Sequence, residues 1–297
     1  MNKLMYSAPL YFVAFLPMII MLYQLCPQKF RKFVLLLANY AFFFIWSKFF
    51  LVYQVITMLI TYVSAKVIDH TANKKTKKIS LFIAIVINLG VLVVLKYTNF
   101  FGENIFAIFH QPFTPVRLIA PIGISYYTLQ MISYLMDTSS GKIHSDHSIV
   151  DFAVYASFFP TLIQGPITRF NEIKDSIHAG NPITYQNLKF GSQRILFGLM
   201  KKMIIADRLD PAVSKIFTSY TQDGLFSLIG AVLCTIQLYM DFSGIVDICL
   251  GSAEIFGIKL PENFRQPFFA ENASDFWRRW HITLGTFLRD YVFYPIS

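Results

Sequence analysis

The sequence predicts an all-α, polytopic membrane protein, and three observations carry that prediction. More than half of the 297 residues are apolar and only 14% are charged, against about a quarter in soluble domains. A water-soluble fold of this size would lack the charge to wet its surface, whereas lipid asks for an apolar exterior. The apolar residues fall in long uncharged runs. The Lys and Arg residues behind the net charge of +9 stand in short clusters between those runs, as loop charges do in membrane proteins. No basic stripe suited to a polyanion forms, which excludes nucleic acid as a partner.

The elements follow in order. A spanning helix needs about 20 largely apolar residues. The first candidate lies within Leu4–Gln28 and ends near Cys26-Pro27. It is too long for a signal-peptide core and no small-residue cleavage site follows it, so it reads as a retained span. Phe33–Ser47 and Phe49–Ala65 read as two helices turning at Trp46-Ser47-Lys48. A loop bearing Lys66, Lys74, Lys75, Lys77 and Lys78 is the strongest basic patch. Ile79–Leu95 is a fourth span, Lys96–Arg117 a mixed loop, and Leu118–Met136 a fifth span. If the loops at Lys29–Lys32 and Lys66–Lys78 are cytoplasmic, the N-terminus lies outside, and the two clusters agree on this topology.

Beyond Asp137 the pattern changes. Phe152–Thr168 is uncharged but holds Pro160 and Gly165-Pro166. Such backbone cannot face lipid unsatisfied, so the segment reads as a re-entrant or broken helix packed inside protein. Phe190–Ala206 carries Arg194, Lys201 and Lys202 and reads as interfacial, while Gly224–Met240 is apolar and runs into Asp241. Without internal repeats or low-complexity linkers, residues 1–297 read as one membrane-embedded domain. Cys26, Cys234 and Cys249 are too scattered for a disulfide framework or a metal motif, so no metal is expected.

Ionisable groups at membrane depth are costly and tend to face a cavity or a partner. Three clusters stand out. In the first, Gln164 and Arg169 flank the Gly-Pro break, either as a pathway lining or as an ordinary helix end. In the second, Asp241 and Asp247 interrupt an apolar stretch. A bound cation, a proton path or a buried pair with Arg would explain them, as would Asp241 capping a helix that begins near Ser243. Their six-residue spacing argues against a paired-carboxylate catalyst. The third is Trp277-Arg278-Arg279-Trp280-His281. On a helix Trp277 and His281 would share a face. The block reads either as an amphipathic interfacial helix or as the setting of a general base or substrate anchor, since imidazole titrates near neutrality.

Read together, these clusters resemble the membrane-bound O-acyltransferase family, in its branch of bacterial alginate and polysaccharide O-acetylases. The resemblance rests on Lys96–Phe100, Pro121–Tyr127, Gly165–Phe170, Asp241–Gly244, Glu262–Phe268 and Trp277–Leu284, in the family's order and across most of the chain. The teichoic-acid D-alanine transferases share the Gly-Pro loop and the Trp-x-Arg-Trp-His block. The resemblance implies a helical funnel with a tunnel through a thin centre. It implies a cytoplasmic acyl thioester donor, acetyl-CoA-like or bound to a carrier protein, and no resident cofactor. The acceptor is a polysaccharide reached from outside, and an esterase-like extracytoplasmic protein takes the acyl group onward. It assigns His281 a catalytic role. Trp277, Arg278, Arg279, Trp280, Gln164, Arg169, Asp241 and Ser243 become substrate- or tunnel-lining candidates. The family's second histidine, in a Trp-His-Gly helix, does not occur here. The expectation is therefore the N-terminal part of a longer protein, catalytically incomplete alone. The rival readings are a transporter lined by Asp241, Asp247 and Arg169, and a non-catalytic membrane scaffold.

Overall fold

The computed structural model describes residues 6–47, 51–118, 123–145, 147–162, 164–219 and 224–296. Among them every regular element is helical. They pack into two units, one formed by residues 1–35, 164–168 and 175–297, the other by residues 36–163 and 169–174.

In the first unit, helix α1 (Leu16–Leu25) is led in by a π-helical turn at Tyr11–Phe15. It stops where Cys26 turns extended ahead of Pro27, since a proline disfavours helical geometry in the residue before it. The carbonyls this end leaves without helical partners are met by the buried Arg31 guanidinium, whose Nε donates to the Tyr23 and Cys26 carbonyls at 3.2 Å. Arg31 opens α2 (Arg31–Ser47), most of which belongs to the second unit.

The second unit is inside-out relative to a soluble protein. Helix α3 (Leu51–His70) buries Gln54, Thr57 and Thr61 while Val52, Ile56 and Val63 stand exposed. Helix α4 (Lys74–Ile108) runs through a π-helical turn at Val93–Tyr97. Asn73 caps it, its side chain accepting from the Lys75 and Thr76 N–H groups. Asn88 Nδ2 of α4 donates to Thr61 Oγ1 of α3 at 3.1 Å, the polar link by which helices associate in lipid. Between Lys78 and Lys96 the helix rises about 27 Å, close to the thickness of a hydrocarbon core. Lys96 does not open the expected loop, because the helix continues through it to Ile108.

The fifth span also differs from expectation. Helix α5 (Ile124–Ser139) has 16 residues and is buried over most of its length, so it is a core helix rather than a lipid-facing one. Gly123 precedes it at φ +77°, and a Cβ there would lie 2.0 Å from the Leu162 carbonyl oxygen, so the motif needs glycine at that position. Pro121 and Ile122 of that motif, Lys48 of the expected turn, and Ile163 lie outside the described residues.

The broken-helix expectation holds. Helix α6 (Ile149–Ser157) stops short of Pro160, and Phe158–Leu162 is buried throughout. Two polar residues of neighbouring helices satisfy the freed backbone. The Phe159 N–H donates to Asn39 Oδ1 at 2.9 Å, Asn39 Nδ2 donates to the Val154 carbonyl, and Gln54 Nε2 donates to the Ala156 carbonyl. Helix α7 (Phe170–Ala179) follows.

Helix α8 (Tyr185–Leu199) starts from a capping box of Thr184 and Asn187 and continues through a π-helical turn at Met200–Ala206 into α9 (Asp207–Ser219). Helix α10 runs unbroken from Gly224 to Ile255. Its first half exposes Leu225, Leu228, Val232 and Leu238, while its second half is buried within the first unit. Helices α8 and α10 approach backbone to backbone at two reciprocal glycine pairs. A Cβ on Gly191 would lie 2.6 Å from the Gly251 oxygen, and one on Gly198 2.5 Å from the Gly244 oxygen. Helices α3, α4 and α10 are long and apolar enough to cross a membrane. Short helices α11 (Ala273–Arg279) and α12 (Ile282–Leu288) follow, the latter continuing through a π-helical turn at Arg289–Phe293.

Candidate functional site

The glycine contacts bring α8 and α10 close enough for charges to meet. Arg194 Nε donates to Asp247 Oδ1 at 2.6 Å, and its two terminal nitrogens grip both oxygens of Glu262 at 3.1 and 2.8 Å. Lys201 Nζ donates to the other Asp247 oxygen at 2.6 Å. Of the explanations open for Asp247, a pair with Arg is the one present. Asp241 does not cap a helix, because α10 passes straight through it. Lys202 lies 2.5 Å from its carboxylate and also holds Asp207.

Asp247, Arg194, Lys201, Glu262, Ser243 and Phe264 line a cavity of about 450 Å³. A second, of about 640 Å³, is lined by Arg265, Trp277, Arg278 and Arg289 among others. Trp277 is 65% exposed and Arg278 is anchored to Ser274. Arg279 turns away from this group to pair with Asp275 at 2.8 Å, holding that carboxyl below its usual range. Trp280 stacks on Phe276 and meets Phe264 and Tyr239 edge-on or tilted.

Trp277 and His281 do not share a helical face. The helix ends at Arg279, because Trp280 is extended and bridges Phe264 as a short antiparallel pair. His281 then adopts a left-handed conformation, φ +45° and ψ +51°. Left-handed backbone costs a side-chain-bearing residue about 1–2 kcal/mol, and such strain clusters at functional sites. Here it turns the chain back so that α12 can begin.

Asn263, fully buried, holds this turn. Its carbonyl accepts the Ile282 N–H at 3.0 Å. Its side-chain Oδ1 lies 3.1 Å from the Thr283 N, 3.0 Å from Thr283 Oγ1 and 3.1 Å from His281 Nδ1. The Thr283 hydroxyl in turn accepts the Ile167 N–H at 3.1 Å, so the Gly165-Pro166 loop hangs on the residue two places after His281. The His281 ring packs edge-on against Phe242 at 5.0 Å. Burial pushes its imidazole down to about 4. It is therefore neutral at physiological pH, and among the described residues no polar group bonds Nε2.

The structure thus brings the Gly-Pro loop, the Asp241–Asp247 stretch and the Trp-His block together within the first unit. Gln164 stands half-buried in that loop, and Ser243 is buried on the wall of the smaller cavity. His281 lines neither cavity itself, although Ile282 lines the larger and Phe264 the smaller. Arg169 belongs to the second unit, where its backbone N–H donates to Glu172 at 2.8 Å. Sequence reading missed Thr283 and the charged trio Arg194, Lys201 and Glu262 as site residues, and it took Asn263 only as part of a motif. The one available signal for the charges was that Arg194 and Lys201 interrupt an apolar helical stretch. Among the described residues no cluster of His, Cys, Asp or Glu could hold a metal.

The membrane-bound O-acyltransferase family model matches residues 81–297. A probable alginate O-acetylase of Pseudomonas aeruginosa is 34% identical over 99% of this chain and 57% of its own length. A peptidoglycan O-acetyltransferase of Helicobacter pylori is 34% identical over 99% of this chain and 62% of its own. A teichoic acid D-alanyltransferase of Bacillus subtilis is 33% identical over 62% of this chain and 47% of its own. The chain spans about three-fifths of the length of the acetylases it matches.

Proposed function

Because the chain belongs to the membrane-bound O-acyltransferase family, we propose that it serves O-acyl transfer, carrying an acetyl group from a thioester donor to hydroxyls of an exported or cell-wall polysaccharide. The observation that carries this reading is the anchoring of His281. A strained, half-buried imidazole is held by Asn263 and tied through Thr283 to the Gly-Pro loop. A neutral imidazole with one free nitrogen can take a proton from an acceptor hydroxyl as its oxygen attacks the thioester carbonyl, and can return that proton to the thiolate that leaves when the C–S bond breaks. Burial limits the water that would compete with the acceptor.

The donor reading draws support from the larger cavity. Arg265, Arg278 and Arg289 among its lining suit the phosphates of a coenzyme or carrier-bound thioester. Acetyl is favoured over D-alanyl transfer because the acetylases match nearly the whole chain and the D-alanyltransferase about three-fifths of it. The basic clusters at Lys29–Lys32 and Lys66–Lys78 support a topology with the N-terminus outside, and a cytoplasmic donor follows from the branch. An extracytoplasmic esterase-like partner follows from the branch.

The test supplies labelled acetyl thioester to the full-length protein reconstituted in liposomes. Label should reach the acceptor, and His281→Ala should abolish this. Undiminished transfer by that variant would remove His281 from the chemistry. Cysteines placed at Lys29 and Lys74 should react from the same side of the bilayer, and labelling from opposite sides would overturn the topology.

A further inference from the structure

We propose that Asn263 is the positioning residue of His281, fixing the imidazole as its Nδ1–H tautomer so that Nε2 carries the free lone pair. The inference deepens the acyl-transfer reading and rests on it for its chemistry, but the tautomer itself follows from geometry alone.

The two ends of an asparagine amide look alike in outline and are told apart by their partners. At Asn263 the partner that decides is a backbone group. The Thr283 N–H can only donate, so the atom 3.1 Å away must be the oxygen. His281 Nδ1, 3.1 Å from that same oxygen, must then bring the proton. The Thr283 hydroxyl, 3.0 Å from it, must donate as well, and its lone pair is left to accept from the Ile167 N–H. Each donor from Ile167 to His281 is thereby matched to an acceptor, while the buried Asn263 Nδ2 bonds no polar group among the described residues. In a neutral imidazole with Nδ1 protonated, Nε2 is the acceptor.

Asparagine suits this task differently from aspartate. It orients the ring but adds no negative charge to favour imidazolium, in keeping with an imidazole that burial holds neutral. Asn263 also grips the backbone on the far side of His281 through its own carbonyl and the Ile282 N–H. Ring and strained backbone are therefore set by a single residue.

The test is 15N NMR of histidine-labelled protein in nanodiscs, with the His281 signals identified by their loss in His281→Gln. At neutral pH the unmodified protein should show a protonated Nδ1 and a bare Nε2. Asn263→Leu should lose that preference. Asn263→Asp, which keeps the acceptor, should retain it. In the acetyl-transfer assay Asn263→Leu should lower kcat about a hundredfold with KM little changed, and Asn263→Asp should recover part of the loss. An Nε2–H tautomer in the unmodified protein would overturn the proposal, even if Asn263→Leu fails to fold. So would an unchanged tautomer in a folded Asn263→Leu. If the tautomer behaves as stated while His281→Ala transfers acetyl normally, the positioning stands and the catalytic reading falls.

Discussion

Gly198→Ala should destabilise the protein by about 1–3 kcal/mol, the usual cost of overpacking a close contact. The added Cβ would sit 2.5 Å from the Gly244 carbonyl oxygen, 2.9 Å from Ile248 Cγ1 and 3.0 Å from Asp247 Cβ, where ordinary contact begins at 3.4 Å. The obstacle is backbone of α10, which no rotamer change can move. The helices must therefore part by about 0.9 Å or tilt about the second pair, where Gly251 lies as close to Gly191. Arg194 and Asp247 fall between the two glycine pairs and are 2.6 Å apart, so parting the helices stretches that bond as well. The control is Gly90→Ala in α4, where an added Cβ meets nothing within 4 Å. It should be neutral or stabilising by up to about 1 kcal/mol, because alanine favours a helix interior. Thermal unfolding of both variants in one detergent reads the difference. Equal midpoints for Gly198→Ala and Gly90→Ala would refute the backbone-contact account of this helix pair.

Asp247→Ala leaves Lys201 without its partner, and Arg194 with Glu262 alone. It should cost about 3 kcal/mol, the low end for breaking a buried pair because Arg194 is partly exposed. Adding Lys201→Met should restore most of that loss, and denaturant titration of the two variants checks it. Thr283→Val removes the acceptor of the buried Ile167 N–H and should cost about 1–3 kcal/mol, read as lost thermal stability with faster proteolysis at the Gly-Pro loop. Burial depresses the imidazoles of His281 and His147, both outside the spanning helices. The unfolded chain takes up these protons near pH 6.5, while folded His281 resists them until about 4. Stability should then be full above pH 6.5 and fall as pH drops from 6.5 toward 4, with His281→Gln flattening the slope. A rise in stability over that window would contradict the burial of the ring.

The helices were legible because lipid imposes a simple rule, long apolar runs punctuated by lysines, and the Gly-Pro break announced itself through backbone that lipid cannot satisfy. The features that escaped were set by partners far away in sequence. Lys96 looked like a loop residue because its charge was read as the end of a span, whereas the helix runs on through it to Ile108. Asp241 stayed open between a cap, a cation, a proton path and a pair with Arg because its partner, Lys202, comes from another helix. Trp277 and His281 looked like neighbours on a face because nothing local shows that Phe264 pairs with Trp280 and ends the helix. The three polar clusters were each visible; that Thr283 binds two of them together depends on a hydrogen bond across 116 residues. The seven-residue spacing of Gly191 and Gly198, repeated by Gly244 and Gly251, was present in the sequence as a small-residue stripe. Its reciprocal partner contact emerged only in three dimensions.

The Phe264–Trp280 bridge works as a clasp. With the Arg265 N–H donating to the Arg279 carbonyl at 2.9 Å, it closes the stretch carrying α11 into a loop tied at its own base. Such a stretch is a spacer whose length does not set the position of the residues beyond the clasp. Closure entropy grows only with the logarithm of length, so inserting about ten residues between Ala270 and Glu271 would cost roughly 0.5 kcal/mol. The Asn272 cap and the seat of His281 would stay in register, leaving this loop free to change in size while the imidazole stays where Asn263 holds it.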